Sequence, residues 1–343
     1  MSKLLKLSWI LLAALAVLTT ACSKDDEEEE STKEYMSGSV EYSLESYVAK
    51  GDMVTMSASG ITTPADPVYK WYIPGIQSDS LHARKVTIKF PDSLGVFAVT
   101  AIATAPGYYN SSNTISVTTV DTTWNGSLTG LAHSGKSVLD LRDGLSYQYV
   151  TIGNLDWFAQ NLAWDGAGVA FEYSPITHKL FGRLYSWEEA TGGVSATGLG
   201  NGPKGACPEG WSIPTTADWE DLAKAVSGRD IPFVNDWDSL AAPLSGNAYF
   251  NEERMWPYCP DNDHNNRTGW NAIPVGSSRT DNKGFCGFSG RDSYAFWWSS
   301  TEKDGDKAYY RYMYFDRHSF PMNYTYKSGF GASVRCVRLA SGL

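Results

Sequence analysis

The sequence predicts an all-β sandwich followed by an α+β domain, and two patterns carry this prediction. Residues 36–121 contain short runs of alternating apolar and polar residues, separated by turn-forming residues. This pattern is typical of a β-sandwich. Residues 137–343 show few helical segments, a long irregular middle and strand-like runs near both ends, as an α+β domain would. The length of 343 residues leaves room for about two domains.

Composition and charge exclude two classes of protein. The chain is 13% aromatic, whereas disordered chains contain few aromatic residues. Asp and Glu number 38 against 28 for Lys and Arg, which gives a net charge of −10. A surface of this sign repels the phosphate backbone of nucleic acids. Nucleic acid is therefore not expected as a partner.

The N-terminal segment, 1–21, has the layout of an export signal. Lysines precede an apolar run over 7–17, which is shorter than the ~20 residues that a membrane-spanning helix needs. Small residues then lead to Cys22. This resembles a bacterial lipoprotein signal, although Thr19 stands where Leu is usual; a simple cleaved signal peptide is the alternative. The resemblance implies that Cys22 is lipidated and that acyl chains are the membrane attachment.

The next segment, 22–35, is strongly acidic. Like charges at this density repel each other, so we expect a disordered tether. An acidic run directly after the lipidated cysteine resembles the surface-export signal of Bacteroidetes lipoproteins; a solvated spacer is the alternative. The expected location is the outer membrane, with the protein lipid-anchored and exposed at the cell surface.

Residues 36–121 carry the sandwich prediction. Runs of period two lie at 54–58, 86–90, 96–100 and 114–117. The stretch 69–72, which contains Trp71, and the later run Gly95, Val96, Phe97 resemble bacterial Ig-like and PKD-like modules. The resemblance implies an Ig-like β-sandwich that acts as a spacer, with a binding role as the alternative. Residues 122–136 are then a linker.

One helix is predicted from a complete set of local signals. Thr215 can cap a first turn that has Asp218 three residues later. Trp219 and Leu222 start an apolar face, and Gly228 provides a stop.

Five ordered motifs lie in the domain over 137–343. They read YVTIG with WFAQNL (149–162), FGRLYSWEEA (181–190), CPEGWSIPT (207–215), FWWSSTE (296–302) and SVRCV (333–337). Together they resemble the Fibrobacter succinogenes major paralogous domain, which is similar to C-type-lectin-like folds. The resemblance implies a C-terminal α+β C-type-lectin-like domain. The tryptophans of these motifs and of the predicted helix are expected to pack its core: Trp157, Trp187, Trp211, Trp219 and Trp297.

Beyond Cys22 there are four cysteines, and four cysteines allow three disulfide pairings. Cys207 and Cys336 belong to two of the motifs and flank the helix and the final strand, so we pair them. Cys259 with Cys286 then closes the long loop. No C-x-x-C spacing is present, so no zinc site is expected.

The sequence offers no catalytic motif. Residues 130–137 fit the phosphate-loop pattern G-x-x-x-x-G-K-S. That loop needs a strand before it and a helix after it, and neither is indicated here, so we read the match as coincidence. The histidines are scattered, and neither G-x-S-x-G nor H-E-x-x-H occurs. The protein is therefore not expected to be an enzyme, and no catalytic residue or metal ligand is assigned.

One segment partly fits a calcium-binding loop. Asp261, Asp263 and Asn265 offer oxygen ligands at alternate positions. The pattern departs from a calcium loop at Asn266, where Gly is needed, and at Ala272, where Glu is needed. A solvated loop without cofactor is favoured, with calcium as the alternative.

The predicted ligand site lies in the irregular segment 244–292. It combines three aromatic residues with polar ones: Trp256, Tyr258, Trp270, Asp261, Asp263, His264, Asn265 and Arg267. Sugars present C–H faces to aromatic rings and hydroxyls to polar side chains, so this mixture favours glycan binding. The alternative is that the rings fill a small core beneath the loop.

These observations predict a non-catalytic glycan-binding lipoprotein at the cell surface. It would capture polysaccharide or oligosaccharide at the outer membrane and hand it to outer-membrane uptake proteins. The alternative function is a protein-binding adhesin or a structural component of a surface complex or appendage.

Overall fold

A computed structural model describes residues 33–76, 81–230, 237–260, 262–281 and 284–341. The predicted signal peptide, Cys22 with its lipidation and nearly all of the acidic tether lie outside the described residues, as does Asp261. In the described part, no helix combines the length and the apolar character that crossing a bilayer requires.

The chain folds into two compact units. The first comprises residues 33–43, 56–76, 81–86 and 99–114, and the second comprises the described residues of 44–55, 87–98 and 115–341. The strands of the N-terminal third are β1 (Ser37–Ser43), β2 (Tyr47–Ala49), β3 (Met53–Thr63), β4 (Val68–Tyr72), β5 (Leu81–His82), β6 (Lys85–Lys89), β7 (Gly95–Thr104) and β8 (Ser111–Val120). They form sheets in the orders β1-β3-β6 and β2-β8-β7-β4-β5.

The first unit is built around β4. Trp71 pairs with Ala101 of β7, and Tyr69 pairs with Ala103. All four side chains are buried, and Trp71 Nε1 donates a hydrogen bond to the Ala83 carbonyl at 2.8 Å. The alternation of the sequence thus places each large ring over a small partner on the neighbouring strand.

The second unit contains the remaining elements. Its further strands are β9 (Leu128–Thr129), β10 (Ser137–Leu139), β11 (Ser146–Ile152), β12 (Leu155–Phe158), β13 (Val169–Ala170), β14 (Arg183–Leu184), β15 (Tyr249–Phe250), β16 (Glu253–Arg254), β17 (Val275–Asp281), β18 (Gly284–Arg291), β19 (Tyr294–Glu302), β20 (Lys307–Tyr314), β21 (Met322–Tyr326), β22 (Phe330–Gly331) and β23 (Val337–Leu339). The helices are α1 (His178–Phe181), α2 (Trp187–Thr191), α3 (Thr216–Ser227) and α4 (Ala241–Leu244), with a 3₁₀ turn at Phe171–Tyr173.

Two sheets dominate this unit. One has the order β10-β11-β12-β23, so the closing strand of the domain pairs with an opening one. The other has the order β18-β17-β19-β20-β21, and β22 also pairs with β17. Two small sheets, β13-β14 and β16-β15-β9, complete the unit.

The predicted fold class is wrong. The structure is 44% strand and only 9% helix, so residues 137–343 do not form an α+β C-type-lectin-like domain. The main cause is the segment 244–292, for which the sequence predicts an irregular loop, because part of it folds into β17 and β18. Its many glycines and polar residues concealed two paired strands.

The predicted helix is confirmed as α3. Thr215 Oγ1 accepts a hydrogen bond from the Asp218 backbone N–H at 3.2 Å, and Asp218 Oδ2 accepts one from the Thr215 N–H at 2.7 Å. This reciprocal capping box satisfies two donors at the helix start. Gly228 ends the helix in the left-handed conformation, with φ of 67°.

Tryptophan rings fill the core of the second unit. The five tryptophans that were expected to be buried are so, since each is at most 3% exposed. Trp157 lies 4.7 Å from Trp219, and Trp270 lies 5.0 Å from Trp297, between ring centroids. Each such ring buries roughly 150–250 Å², so this cluster is a large part of the hydrophobic stabilisation of the unit.

The cysteines follow the prediction only in part. Cys207 and Cys336, 129 residues apart, form a disulfide as predicted. The predicted Cys259–Cys286 disulfide is not formed, and both residues are free thiols. Cys286 is held in β18 opposite Arg279 of β17, whereas Cys259 lies in a turn that closes on Asn262. The fold thus assigns these two cysteines to separate local structures.

Candidate functional site

The two tryptophans of the predicted ligand site are buried. Trp256 is 1% exposed and Trp270 is 0% exposed. Trp256 Nε1 donates to the Ala272 carbonyl at 3.0 Å, and the Trp270 ring packs against other core tryptophans. Neither ring offers a face to a sugar. The site prediction fails here, and the arrangement is the alternative one, in which the rings form a core beneath the loop.

His264 is also buried, and it stacks on Trp256 with ring centroids 5.3 Å apart. Burial, assisted by the charge of Arg254, lowers the pKa of His264 to about 4, and Asp263 opposes this shift only weakly. The imidazole is therefore neutral at ordinary pH. It acts as a flat packing surface and is not accessible to a ligand.

Four other members of the predicted site lie on the surface: Tyr258, Asp263, Asn265 and Arg267. Tyr258 is 76% exposed. Asn265 Nδ2 donates to Asp263 Oδ1 at 3.0 Å, and Arg267 Nη2 donates to the Val226 carbonyl at 2.5 Å. The side chains of Asp263, Asn265 and Arg267 thus form hydrogen bonds with one another or with the backbone. Within the described residues, no group of three or more His, Cys, Asp or Glu side chains could hold a metal ion.

The phosphate-loop match lies between two short strands. β9 ends at Thr129, before the match begins, and β10 begins at Ser137, its last residue. A strand thus follows the match where the phosphate-binding geometry requires a helix N-terminus.

A row of aromatic side chains crosses β19 and β20, outside the predicted ligand site. Tyr294 pairs with Tyr314, Phe296 with Tyr312, and Trp298 with Tyr310. Residues two apart on a strand share a face, so all six rings lie on one side of the sheet. Their cross-strand centroid distances are 4.8, 6.2 and 6.2 Å. We call these six residues the aromatic ladder.

The ladder is buried at one end and open at the other. Trp298 is 0% exposed, and Phe330 of β22 lies 5.6 Å from it between centroids. Tyr294 is 38% exposed, and Phe296, Tyr312 and Tyr314 are half-buried. The open end therefore presents aromatic surface to solvent while the closed end holds the rings in place.

A cavity of about 420 Å³ lies at the open end, within the ~300–1,000 Å³ typical of ligand pockets. We call it the ladder pocket, and it is lined by Tyr294, Phe296, Tyr314, Phe315, Ser277, Ser289, Asp316 and Arg317. The Arg317 guanidinium carbon lies 5.2 Å from the centroid of the Tyr314 ring. The pocket thus combines aromatic faces with hydroxyl, carboxylate and guanidinium groups.

A second cavity, also of about 420 Å³, lies elsewhere in the same unit. We call it the Trp124 cleft. It is bounded by the segment 122–137, by the strand β11, by residues just after β12 and by the helix α1. Trp124 is 46% exposed and meets His133 edge to face, with centroids 5.2 Å apart. The predicted linker thus forms one wall of a cavity.

Asn271 holds that wall in place. Its Oδ1 accepts from the Ala132 N–H at 2.8 Å, and its Nδ2 donates to the Ala132 carbonyl at 2.9 Å. Asn271 itself is 2% exposed. The loop that carries His133 is therefore attached to a buried side chain of the fold.

A sequence signal for the ladder exists, since aromatic residues recur at every second position over 294–298 and 310–314. Such alternation indicates a strand with one aromatic face. It does not say whether that face is open. No comparable signal marks the Trp124 cleft, because its residues come from distant parts of the chain.

Comparison with protein families decides where the chain belongs. The family model of the Fibrobacter succinogenes major domain matches residues 150–338, which is more than half of the chain. The chain belongs to this family. The ladder pocket lies wholly inside the Fibrobacter succinogenes major domain, whereas the Trp124 cleft also uses residues that precede it. Comparison with curated proteins found no match, and comparison with solved structures found none.

Proposed function

We propose that this protein is a non-catalytic, glycan-binding lipoprotein of the cell surface. In this proposal Cys22 carries the lipid anchor in the outer membrane, and the acidic segment after it is the tether. The folded part captures polysaccharide or oligosaccharide and delivers it to outer-membrane uptake proteins. No cofactor takes part in the binding.

The observation that supports glycan binding most directly is the ladder pocket. Sugar rings have apolar C–H faces that pack on aromatic rings, and Tyr294, Phe296 and Tyr314 supply such rings at the pocket wall. Sugar hydroxyls need donors and acceptors around that surface. Asp316 and Arg317 supply both types, and neither makes an ion pair with another described residue.

The pocket chemistry favours binding over hydrolysis. Glycoside hydrolysis uses two carboxyl groups on opposite sides of the scissile bond. Among the described lining residues of the ladder pocket, Asp316 is the single carboxylate. One carboxylate can orient a hydroxyl group, but it cannot serve as both acid and base or nucleophile at once.

Isothermal titration of the purified full-length protein against a panel of neutral polysaccharides tests the proposal. We expect at least one member to bind, and we expect Tyr294→Ala and Tyr314→Ala each to weaken that binding about tenfold. Tyr72→Ala is the matched control, because Tyr72 is 51% exposed on β4, in the other compact unit. A thermal melt of each variant checks that it folds.

Two results would count against the proposal. One is silence across the whole panel, which favours the protein-binding adhesin or the structural component instead. The other is binding that persists unchanged in both tyrosine variants.

A further inference from the structure

We propose that the Trp124 cleft is a second binding site, and that it takes a saccharide bearing a carboxylate or sulfate group. The cleft shares no lining residue with the ladder pocket. The proposal therefore concerns a different site and a different class of ligand from the neutral glycan of the ladder pocket.

Charge is the first support. The chain carries a net charge of −10, yet the described lining of this cleft contains Lys136, Lys179 and His133 and neither Asp nor Glu. A cavity whose lining has the sign opposite to the rest of the protein concentrates ligands of the opposite charge. An anionic ligand is thus attracted to the cleft and repelled by most of the remaining surface.

The two lysines of the cleft are not neutralised. Neither Lys136 nor Lys179 forms an ion pair with any other residue that the structure describes. Lys136 Nζ donates to a neutral oxygen, Thr151 Oγ1, at 3.3 Å. Lys179 is exposed on the short helix α1. Both ammonium charges remain available to a ligand anion.

The hydrogen bonds inside the wall of the cleft occupy the acceptor atoms of two glutamine side chains and leave their donor groups unbound. The Ser134 N–H donates to Gln148 Oε1 at 2.9 Å, and the Gln148 N–H donates to Gln160 Oε1 at 3.3 Å. The side-chain Nε2 groups of Gln148 and Gln160 have no partner among the described residues, so each remains a hydrogen-bond donor.

His133 also has its acceptor occupied and a donor left over. The Gly135 N–H donates to His133 Nδ1 at 3.1 Å. Because Nδ1 acts as an acceptor in this bond, the neutral ring carries its proton on Nε2, which is then a donor. Donors from a histidine, two glutamines and two lysines suit a ligand group that only accepts hydrogen bonds. A carboxylate or a sulfate is such a group.

Trp124 indicates that the anion is carried by a sugar. Its ring is 46% exposed at the cleft, and its contact with His133 is edge to face. An aromatic wall would contribute nothing to a free inorganic anion, whereas it can pack on the C–H face of a pyranose. A cavity of about 420 Å³ is also larger than a bare anion requires.

The test is isothermal titration of the full-length protein with three probes. They are tetragalacturonate, its fully methyl-esterified form and a sulfated carrageenan tetrasaccharide that has no carboxylate. We expect at least one anionic probe to bind, the neutral ester to bind about tenfold more weakly or not at all, and added salt to weaken the binding. The anionic probe that binds identifies the group as carboxylate or sulfate.

Variants assign the binding to this cleft. Lys179→Met and Trp124→Leu should each weaken binding of the anionic probe about tenfold. Lys85→Met is the matched control, because it removes the same charge from an exposed position on β6, and Tyr294→Ala tests independence from the ladder pocket. Both should leave this binding unchanged.

Three results would overturn the proposal. They are equal affinity for the acid and for its ester, no binding of either anionic probe, and loss of binding in Tyr294→Ala but not in Lys179→Met. The neutral-polysaccharide titration has a separate readout, so either proposal can fail while the other stands.

Discussion

Asn161 and Arg335, 174 residues apart in the chain, are joined by a buried hydrogen bond of 2.8 Å from Arg335 Nε to Asn161 Oδ1. The same oxygen accepts from Trp297 Nε1 at 3.0 Å, and Asn161 Nδ2 donates to the Phe181 carbonyl at 3.0 Å. These four residues belong to four of the five sequence motifs. The side chain of Asn161 is thus a buried centre at which the motifs meet.

The Arg335 guanidinium is buried and has no carboxylate partner among the described residues. It donates to three backbone carbonyls, those of Phe158 at 3.0 Å, Trp270 at 2.6 Å and Asn271 at 2.8 Å. Burial lowers the pKa of Arg335 to about 9. Because Asn271 also holds the loop of the Trp124 cleft through Ala132, the buried centre is connected to the wall of that cleft.

Replacing Asn161 tests this centre. Asn161→Leu keeps the approximate volume but leaves Trp297 Nε1, Arg335 Nε and the Phe181 carbonyl without this partner. Each unsatisfied buried group costs ~1–3 kcal/mol, and a charged donor costs more. We expect the free energy of unfolding to fall by about 3–5 kcal/mol, measured by urea denaturation.

Asn201→Leu is the control, because Asn201 is exposed and its side chain makes no hydrogen bond with other described residues. Its effect should lie within about 0.5 kcal/mol, as for ordinary surface substitutions. A loss below about 1 kcal/mol in Asn161→Leu would show that the centre contributes little to stability.

The cysteines give a second prediction. The Cys207–Cys336 disulfide closes a separation of 129 residues, for which the chain-entropy model gives roughly 4–5 kcal/mol of stabilisation. The double variant Cys207→Ser/Cys336→Ser should lose about that amount in urea denaturation. Cys259→Ser/Cys286→Ser, which removes the two free thiols, should lose much less and is the control.

Thiol labelling checks the same assignment directly. In a Cys22→Ser background, the denatured and unreduced protein should react at Cys259 and Cys286 and at neither Cys207 nor Cys336. Peptide mass spectrometry locates the label. Absence of label from Cys259 and Cys286 would restore the disulfide between them that the sequence analysis predicted.

The sequence predicts those features whose signals are local. Helix α3 follows from a capping box, an apolar face and a terminal glycine, all within 215–228. The family motifs and the burial of their tryptophans follow in the same way, because each motif brings its own packing residue. Features of this kind do not depend on which distant segment lies opposite.

The glycines of β17 and β18 conceal these strands because they act through contacts between neighbouring strands. A side chain at Gly276 would place its Cβ 2.1 Å from the Ser289 carbonyl oxygen, and one at Gly290 would lie 2.3 Å from the Tyr294 ring. These glycines permit a close approach between strands. In the sequence these glycines indicate turns, and only the paired strands show that they allow a close approach.

The exposure of aromatic rings was equally hidden. Trp256 and Trp270 stand among polar loop residues in the sequence but are buried, whereas Tyr294 stands in an apolar run and is open to solvent. Local composition indicates whether a segment is polar. Burial depends on what packs over the segment, and residues far along the chain decide that.

Calcium should not affect glycan binding at the ladder pocket. The carboxylate of Asp263, one of the residues considered for calcium, accepts hydrogen bonds from Asn265 Nδ2 at 3.0 and 3.2 Å, and neither residue lines that pocket. Titrations of the bound polysaccharide in EDTA and in added calcium should give the same affinity. A clear loss of affinity in EDTA would revive calcium as a cofactor.

The buried His264 should make stability depend on pH. Its pKa is lowered from 6.5 to about 4 by burial, so the fold excludes the charged form that the unfolded chain adopts below about 6.5. The unfolded state then binds more protons than the folded state, and stability falls as the pH drops from 6.5 towards 4. Over this window the lowered pKa of His264 should reduce the free energy of unfolding by roughly 2–3 kcal/mol. Urea denaturation at a series of pH values measures this loss.

His264→Phe separates this effect from the titration of other groups, because a phenyl ring can also stack on Trp256 but carries no proton-binding nitrogen. The backbone of His264 has φ of 43°, so the variant loses some stability at every pH, and the quantity compared is the slope. Between pH 6.5 and 4, the free energy of unfolding should change less steeply with pH in the variant. At the steepest point the difference should correspond to the uptake of about one proton per molecule. Equal slopes in the two proteins would mean that His264 is protonated in the fold and hence accessible to water.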